Sequence, residues 1–299
     1  MAYQIFTDSS SELTKKHREE CDIDYYRMGI MVDGKLMHAD INWDEYSPEQ
    51  LYEWVADPNI EIKTSLVTVE EFIEKSEPYL KKGIDILYIG CTDRLSGTIN
   101  VFDIAKNFLK EKYPERKIIS VNSYRAEMSL GMICMEAARL RDEGKSIEEV
   151  VKWIENNRQY FHQVGSVATL KYLKAAGRVS GAAAFFGNII GIKPVIMFDV
   201  HGHVHTFKKV NGSKNALDES FEYIKKHMVP GVTDIVYIGQ AMAKESQAYL
   251  KKRINEELNI KTEEFWIGPI VGISCGPGMY GCWFKGDLVT LDAEAEGAK

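Results

Sequence analysis

Through the first half of the chain, short apolar runs alternate with stretches whose apolar residues recur every three or four positions. The runs YQIFT (3–7), DIDYYRMGIMVDG (22–34), DILYIG (85–90) and KIISV (117–121) have the length and the aromatic and β-branched content of strands. Most are separated by helix-like segments. Ser47-Pro48 supplies a cap and a first-turn proline, and Thr68-x-x-Glu71 is a capping box. Alternating strand and helix is the grammar of a parallel sheet covered on both faces.

From Gly165 onward the pattern changes. SVATL (166–170) and KPVIMF (193–198) read as strands flanking a short helix in LKYLKAAG, and a turn at His201-Gly202 leads into HVHTFKKV (203–210). Helices are expected over 213–228 and 243–258, followed by strands at FWIG (265–268) and GCWFKG (281–286), which together make a mixed sheet. The Ser146-x-x-Glu149 capping box opens a helix over 146–160 that bridges the two halves. The expected division is therefore 1–160 and 161–299, both α/β, the first with a Rossmann-like parallel sheet. One echo links them: Asp85-Ile-Leu-Tyr-Ile-Gly90 and Asp234-Ile-Val-Tyr-Ile-Gly239 are each a strand ending in glycine before a loop and helix.

Composition narrows the function classes. With 45% apolar and 27% charged residues the chain is an ordinary globular protein, and its net charge of -7 repels a phosphate backbone, so nucleic acid is not an expected partner. The start MAYQIFTDSS lacks the basic region and apolar run of a signal peptide, and no stretch approaches the ~18 apolar residues of a membrane span. A cytoplasmic location is expected. Five scattered cysteines without a C-x-x-C pair suit reduced thiols.

The C-terminal stretch PIVGISCGPGMYGCWF (269–284) overlaps two motifs, G-x-S-x-G around Ser274 and G-x-G-x-x-G from Gly276. The serine lacks a following histidine, since the last one is His227, and the MYGCWFKG that follows reads as extended chain rather than the helix an elbow needs. The dinucleotide fingerprint lacks a following helix, and only 18 residues remain after Gly281. Two readings stay open: a glycine-rich turn between strands, or a site where backbone approaches a ligand with Ser274 and Cys275 at a strand end.

Other candidates follow from placement. Ser96-Gly97-Thr98 follows a strand and opens a helix with apolar positions at Val101, Ile104, Ala105 and Phe108, an arrangement that suits an anion at the carboxyl end of a sheet. The bland alternative is an N-cap serine. Thr64 and Ser65 form a hydroxyl pair before a capped helix, and Arg178 follows a short helix in a glycine-rich setting suited to carboxylate or phosphate. His201, His203 and His205 alternate, yet no acidic or cysteine ligand stands at a supporting spacing, so solvated turn histidines and no metal are expected. Met128, Met132 and Met135 lie at helical spacing as a core stripe or the lining of a pocket for a flexible chain.

The order of IFTDSSSEL, KTSLVTVEEF, LSGT, VNSYRAEMSLG, LKYLKAAGRVS, GIKPVIMFDVHGHVHTFKKVNGSKNAL and GPIVGISCGPGMYG resembles the DegV family of fatty-acid-binding proteins nearly end to end. The resemblance implies an N-terminal parallel-sheet domain, a C-terminal mixed-sheet domain and a long-chain fatty acid whose carboxylate sits between them. By motif, the carboxylate-binding hydroxyls would be Thr64 or Ser65, together with Ser96, and Arg178 matches the arginine of the family's G-G-R-[IV] segment, with Ala176 in place of the first glycine.

The chain departs from the pattern at Ser274, where the family usually has a histidine before G-P-G, and at Leu66, Asn122 and Asn211. The implied role is a non-catalytic carrier or sensor of fatty acid without a cofactor. The alternative is the presenting subunit of a fatty acid kinase system that makes acyl phosphate for phospholipid synthesis, with the kinase's catalytic protein as partner. Donors for the head group would come from Thr64 or Ser65, Ser96, Ser274, the amides opening the 96–113 helix and Arg178, close to Gly97, Thr98 and Gly276.

Overall fold

A computed structural model describes residues 3–178 and 191–292. The chain forms two compact units, one from Met1–Glu45, Lys63–Arg158 and Gly268–Ile270, the other from Tyr46–Ile62, Gln159–Ile267 and Val271–Lys299.

In the first unit β1 (Tyr3–Asp8) pairs in parallel with β2 (Ile23–Tyr26) on one side and with β6 (Asp85–Gly90) on the other, and β6 pairs in parallel with β7 (Ile118–Asn122). The order β2-β1-β6-β7 is the parallel sheet that the alternating pattern predicts. Strand alternation sends Phe6 to one face, where it stacks on Tyr26 at 4.6 Å, and Thr7 to the other, beside Cys134 of α5 (Glu127–Asp142). Phe72 of α3 (Val69–Lys81) and Phe102 of α4 (Thr98–Lys112) close the first face over Tyr26 and Tyr88. Both expected capping boxes form, at Thr68 with Glu71 and at Ser146 with Glu149 at the head of α6 (Ile147–Asn157).

Two expectations for this half are corrected. DIDYYRMGIMVDG is two strands, because the chain breaks at Arg27-Met28, where the Met28 N–H donates to Ser9 Oγ at 3.0 Å. The second piece, β3 (Gly29–Val32), joins a separate small sheet with β4 (Lys35–His38) and β5 (Ile62–Ser65). On α4 the buried stripe is Ile99, Phe102, Ala105 and Leu109, whereas Ile104 and Phe108 are 51% and 56% exposed. Two apolar stripes run along this helix, and the aromatic cluster selects the one bearing Phe102.

The second unit holds a six-stranded sheet in the order β10-β9-β8-β13-β11-β12. Its strands are β8 (Phe161–Ser166), β9 (Ile192–Phe198), β10 (Val204–Asn211), β11 (Ile235–Ala241), β12 (Lys261–Trp266) and β13 (Met279–Lys285). Only the β11–β12 pair is parallel, so the sheet is mixed, as the sequence predicts. The strand expected at SVATL lies earlier, ending at Ser166. Helix α8 (Ser213–His227) buries Phe221 and Ile224 against Val164, Val195 and Val236, and α9 (Lys244–Arg253) adds Leu250 before a π-helical turn over Ile254–Leu258. Helix α2 (Pro48–Ala56), capped by Ser47 as expected, belongs to this unit: the Tyr52 hydroxyl donates to the Ile267 carbonyl at 2.6 Å.

The β9–β10 hairpin turns at Gly202, with φ of 85°, as the histidine-rich segment suggested. It also sets Asp199 against His203 and His205, a carboxylate that the spacing argument left out. Among the described residues no helix is long and apolar enough to cross a membrane.

Candidate functional site

From β1 the chain moves outward to β2, and from β6 it moves the opposite way to β7. The loops after β1 and β6 therefore diverge at the carboxyl edge of two adjacent strands, the switch point where open α/β sheets form a crevice. Asp8 ties these loops together. Its fully buried carboxylate accepts from the Ser10 N–H at 2.9 Å, the Ser10 hydroxyl at 2.5 Å, the Tyr88 hydroxyl at 2.7 Å and the Cys91 N–H at 3.2 Å. Burial foremost, and then the neighbouring Asp8 carboxylate, push the Tyr88 hydroxyl far above the ordinary phenol range, so it remains a donor.

Ser96, Gly97 and Thr98 stand where β6 passes into α4. The N-cap is Gly97, not Ser96, and it makes no side-chain cap bond. Ser96 Oγ lies 2.8 Å from Thr98 Oγ1 and accepts from the Thr98 N–H at 3.3 Å. Thr98 is fully buried while Ser96 is half-buried. When the Thr98 hydroxyl donates to Ser96, the Ser96 proton is left to point outward toward an acceptor. Gly97 has φ of -77°, and a Cβ there would meet Leu66 Cδ1 at an ordinary 3.5 Å. Nothing in the fold requires glycine at this position.

Thr64 and Ser65 end β5. Ser65 Oγ occupies the space where a Cβ on Gly29 would fall, 2.2 Å away, so its hydroxyl packs against β3. Successive strand residues face opposite ways, which turns Thr64 to the other side. The fold thus distinguishes two hydroxyls that the motif left interchangeable.

Two groups at the switch point escaped the sequence reasoning. The Ser11 hydroxyl and Glu12 Oε1 are buried and have no hydrogen-bond partner among the described residues. Glu12 lies in the left-handed region at φ of 59°, with Oε2 accepting from the Gly268 N–H at 2.6 Å. Burial is the main cause that holds its carboxyl well above the usual carboxylate range, opposed by the Gly268 bond and reinforced by Glu127. The available signal was the polar run Ser9-Ser10-Ser11-Glu12 directly after the first strand.

In the second unit, α7 (Lys171–Ala175) ends in a Schellman motif: the Gly177 N–H donates to Lys174 O at 3.1 Å and the Arg178 N–H to Leu173 O at 2.9 Å. Gly177, with φ of 68°, is the left-handed residue this motif uses. Ala176 is right-handed with φ of -74°, so it needs no glycine. Arg178 is exposed, and its guanidinium bonds the Ala176 carbonyl.

Ser274 is not at a strand end. It lies half-buried in the last turn of α10 (Pro269–Cys275), and the chain then turns through Gly276 and Gly278 into β13. Helix, turn and strand reverse the order a nucleophile elbow requires. Gly276 has φ of 77°, and a Cβ there would fall 2.0 Å from the Tyr172 ring, so its glycine serves the turn itself. Met128 and Met132 are buried in α5 as core. A cleft in the second unit is lined in part by Val167, Ala168, Ala216, Met242, Lys193 and Lys244.

Comparison with known proteins gives a consistent result. The model of the DegV family, described as an uncharacterised protein family, matches residues 2–286. A DegV domain-containing protein of Clostridium perfringens is 32% identical over 286 residues, covering 95% of this chain and 98% of that one. Among solved structures, a Thermus thermophilus DegV family protein described for its fatty acid binding superposes with a TM-score of 0.84 at 24% identity, covering 96% of this chain and 100% of that one. A stearic acid-binding protein from Eubacterium ventriosum gives a TM-score of 0.84 at 22% identity, covering 95% and 98%.

Proposed function

Because this chain belongs to the DegV family, we propose that it binds a long-chain fatty acid without transforming it, as a carrier or sensor. The carrying observation is the hydroxyl pair at the sheet's carboxyl edge, Ser96 Oγ 2.8 Å from Thr98 Oγ1, beside a glycine the fold does not need. Relatives described as fatty acid-binding proteins share the fold. Ser11, a buried hydroxyl without a partner among the described residues, is a further donor that a head group would satisfy.

Burying an acyl tail of ~14 methylenes supplies about 11 kcal/mol of gross driving force, enough to leave micromolar or tighter binding after ordering costs. The carboxylate loses hydration and regains it from the Ser96–Thr98 hydroxyls, Thr64 or Ser65, and the amides opening α4. A partner kinase that phosphorylates the bound carboxylate is the second reading. Ser274 weighs against it, because a hydroxyl there cannot take up and release a proton as an imidazole does.

The test is organic extraction of the purified protein and mass spectrometry, followed by affinity measurements on the delipidated chain. A stoichiometric long-chain fatty acid is expected. Ser96→Ala should cost about 1–2 kcal/mol of binding, roughly 5- to 30-fold. Gly97→Ala should weaken binding while changing stability by less than about 1 kcal/mol, because its cost falls on the ligand. A chain that neither carries nor takes up fatty acid overturns the proposal, and unchanged affinity in both variants overturns the head-group assignment.

A further inference from the structure

Three histidines alternate around the β9–β10 hairpin, and the fold sorts them. Asp199, fully buried at the base of the turn, uses Oδ1 to accept from the His201 N–H at 2.9 Å and the His203 N–H at 2.8 Å. This clasp fixes the carboxylate and directs Oδ2 toward the two imidazoles. Oδ2 is 3.5 Å from His203 Nδ1 and 3.2 Å from His205 Nε2, and all three atoms lie within 4.8 Å of one another. His201 turns the other way, with Nε2 at 3.3 Å from Asp292 Oδ1.

The separations leave room for a metal ion at the centre. A charge-assisted N–H···O bond closes to about 2.7–2.9 Å, shorter than either distance. Ligands bound at about 2.0–2.2 Å around a tetrahedral ion are spaced by about 3.3–3.6 Å, and the separations of 3.2 Å and 3.5 Å lie close to that spacing. A second cluster, His162, His227 and Asp287, lacks this property. Its buried His162 already makes bonds of ordinary length through both nitrogens, to the Tyr223 hydroxyl at 2.9 Å and the Asp287 carbonyl at 2.8 Å. Those contacts are structural.

The geometry points to a divalent transition-metal site formed by Asp199 Oδ2, His203 Nδ1 and His205 Nε2, with zinc as the ion that best suits two imidazoles and one carboxylate. The histidine side chains are 21% and 19% exposed, so the ion can enter from solvent, and the remaining coordination position is left for water or an exogenous ligand. Bound metal would also pin β10, the edge strand of the six-stranded sheet, to the turn it springs from. The site lies wholly within the second unit and does not rest on the fatty acid reading.

The experiment is calorimetric titration of Zn²⁺ into the full chain, without an affinity tag and after treatment with a chelator that is then removed. One equivalent should bind, and affinity should fall as the pH drops through the range where imidazoles protonate. His203→Ala and His205→Ala should each weaken binding at least about 100-fold, beyond the loss typical of an outer hydrogen-bonding partner. His201→Ala should bind as the parent does. Fatty acid content should be the same in all three variants, and Co²⁺ should give the intense visible bands of a four-coordinate ion. A parent chain that binds no Zn²⁺, or histidine variants that bind it undiminished while retaining native circular dichroism, overturns the site.

Discussion

Glu12 combines three costs at one residue: a left-handed backbone, a buried carboxyl, and one oxygen without a partner among the described residues. Its raised pKa has a definite consequence for stability. In the window between the unfolded and folded values, the native state holds a proton that the unfolded chain has released, so Glu12's contribution is full below the unfolded value and declines as pH rises toward the folded one. Glu12→Gln keeps an acceptor for Gly268 and removes the titration. The variant should gain stability relative to the parent as pH is raised from about 5 to 8, the window opened by an ordinary glutamate pKa. Urea unfolding at several pH values checks this, and a pH-independent difference would show that Glu12 does not take up a proton on folding. At the same scale, the Ser96–Thr98 pair joins a half-buried hydroxyl to a fully buried one at 2.8 Å.

Among elements, the turn after α10 shows a glycine held by torsion and by packing at once. Gly276 has a positive φ and the Tyr172 ring in the space a Cβ would fill, whereas Gly34 has a similar φ of 79° and nothing within 4 Å. Gly34→Ala should therefore cost only the backbone strain, about 1–2 kcal/mol. Gly276→Ala should cost more than that, because the half-buried Tyr172 ring must also move. Chemical denaturation of both variants measures the difference, and equal losses would mean that Tyr172 yields freely. The Schellman end of α7 makes the same point for the arginine segment: Gly177 is set by handedness, and alanine at 176 is set by none. Much at this scale was legible in the chain. Capping boxes, the Ser47-Pro48 start and the hairpin at Gly202 act through hydrogen bonds and torsions within a few residues. The buried face of α4 was not, since Ile104 and Phe108 match the helical period as well as Phe102 and Leu109 do.

For the whole molecule, the proposed binding of fatty acid would couple to unfolding. A ligand that binds only the native chain at about 1,000 times its Kd adds about 4 kcal/mol of stability. Thermal unfolding of delipidated and reloaded protein should differ accordingly, and coincident curves would contradict a bound lipid. The chain's path through its two units is also a whole-molecule property: Tyr46–Ile62 belongs with the mixed sheet although it lies in the N-terminal half, and Tyr52 meets a carbonyl 215 positions away. The DILYIG and DIVYIG echo stops at the local unit for the same reason. Strand β6 has two parallel neighbours, while β11 has one parallel and one antiparallel.

The sequence by itself determined the alternation of strand and helix, the capped helix starts, the glycine turns and the presence of hydroxyls after the third long strand. Each of these is encoded in a window of a few residues by periodicity, torsional preference or a local hydrogen bond. Only the tertiary structure decided that the loop after β1 shares an edge with the loop after β6, that Glu12 is dehydrated there, and that Asp199 Oδ2 faces the imidazoles of His203 and His205 while that of His201 turns to Asp292. These facts depend on which distant strands pair and which side chains lose water when they do, and neither is written in the spacing of neighbouring residues.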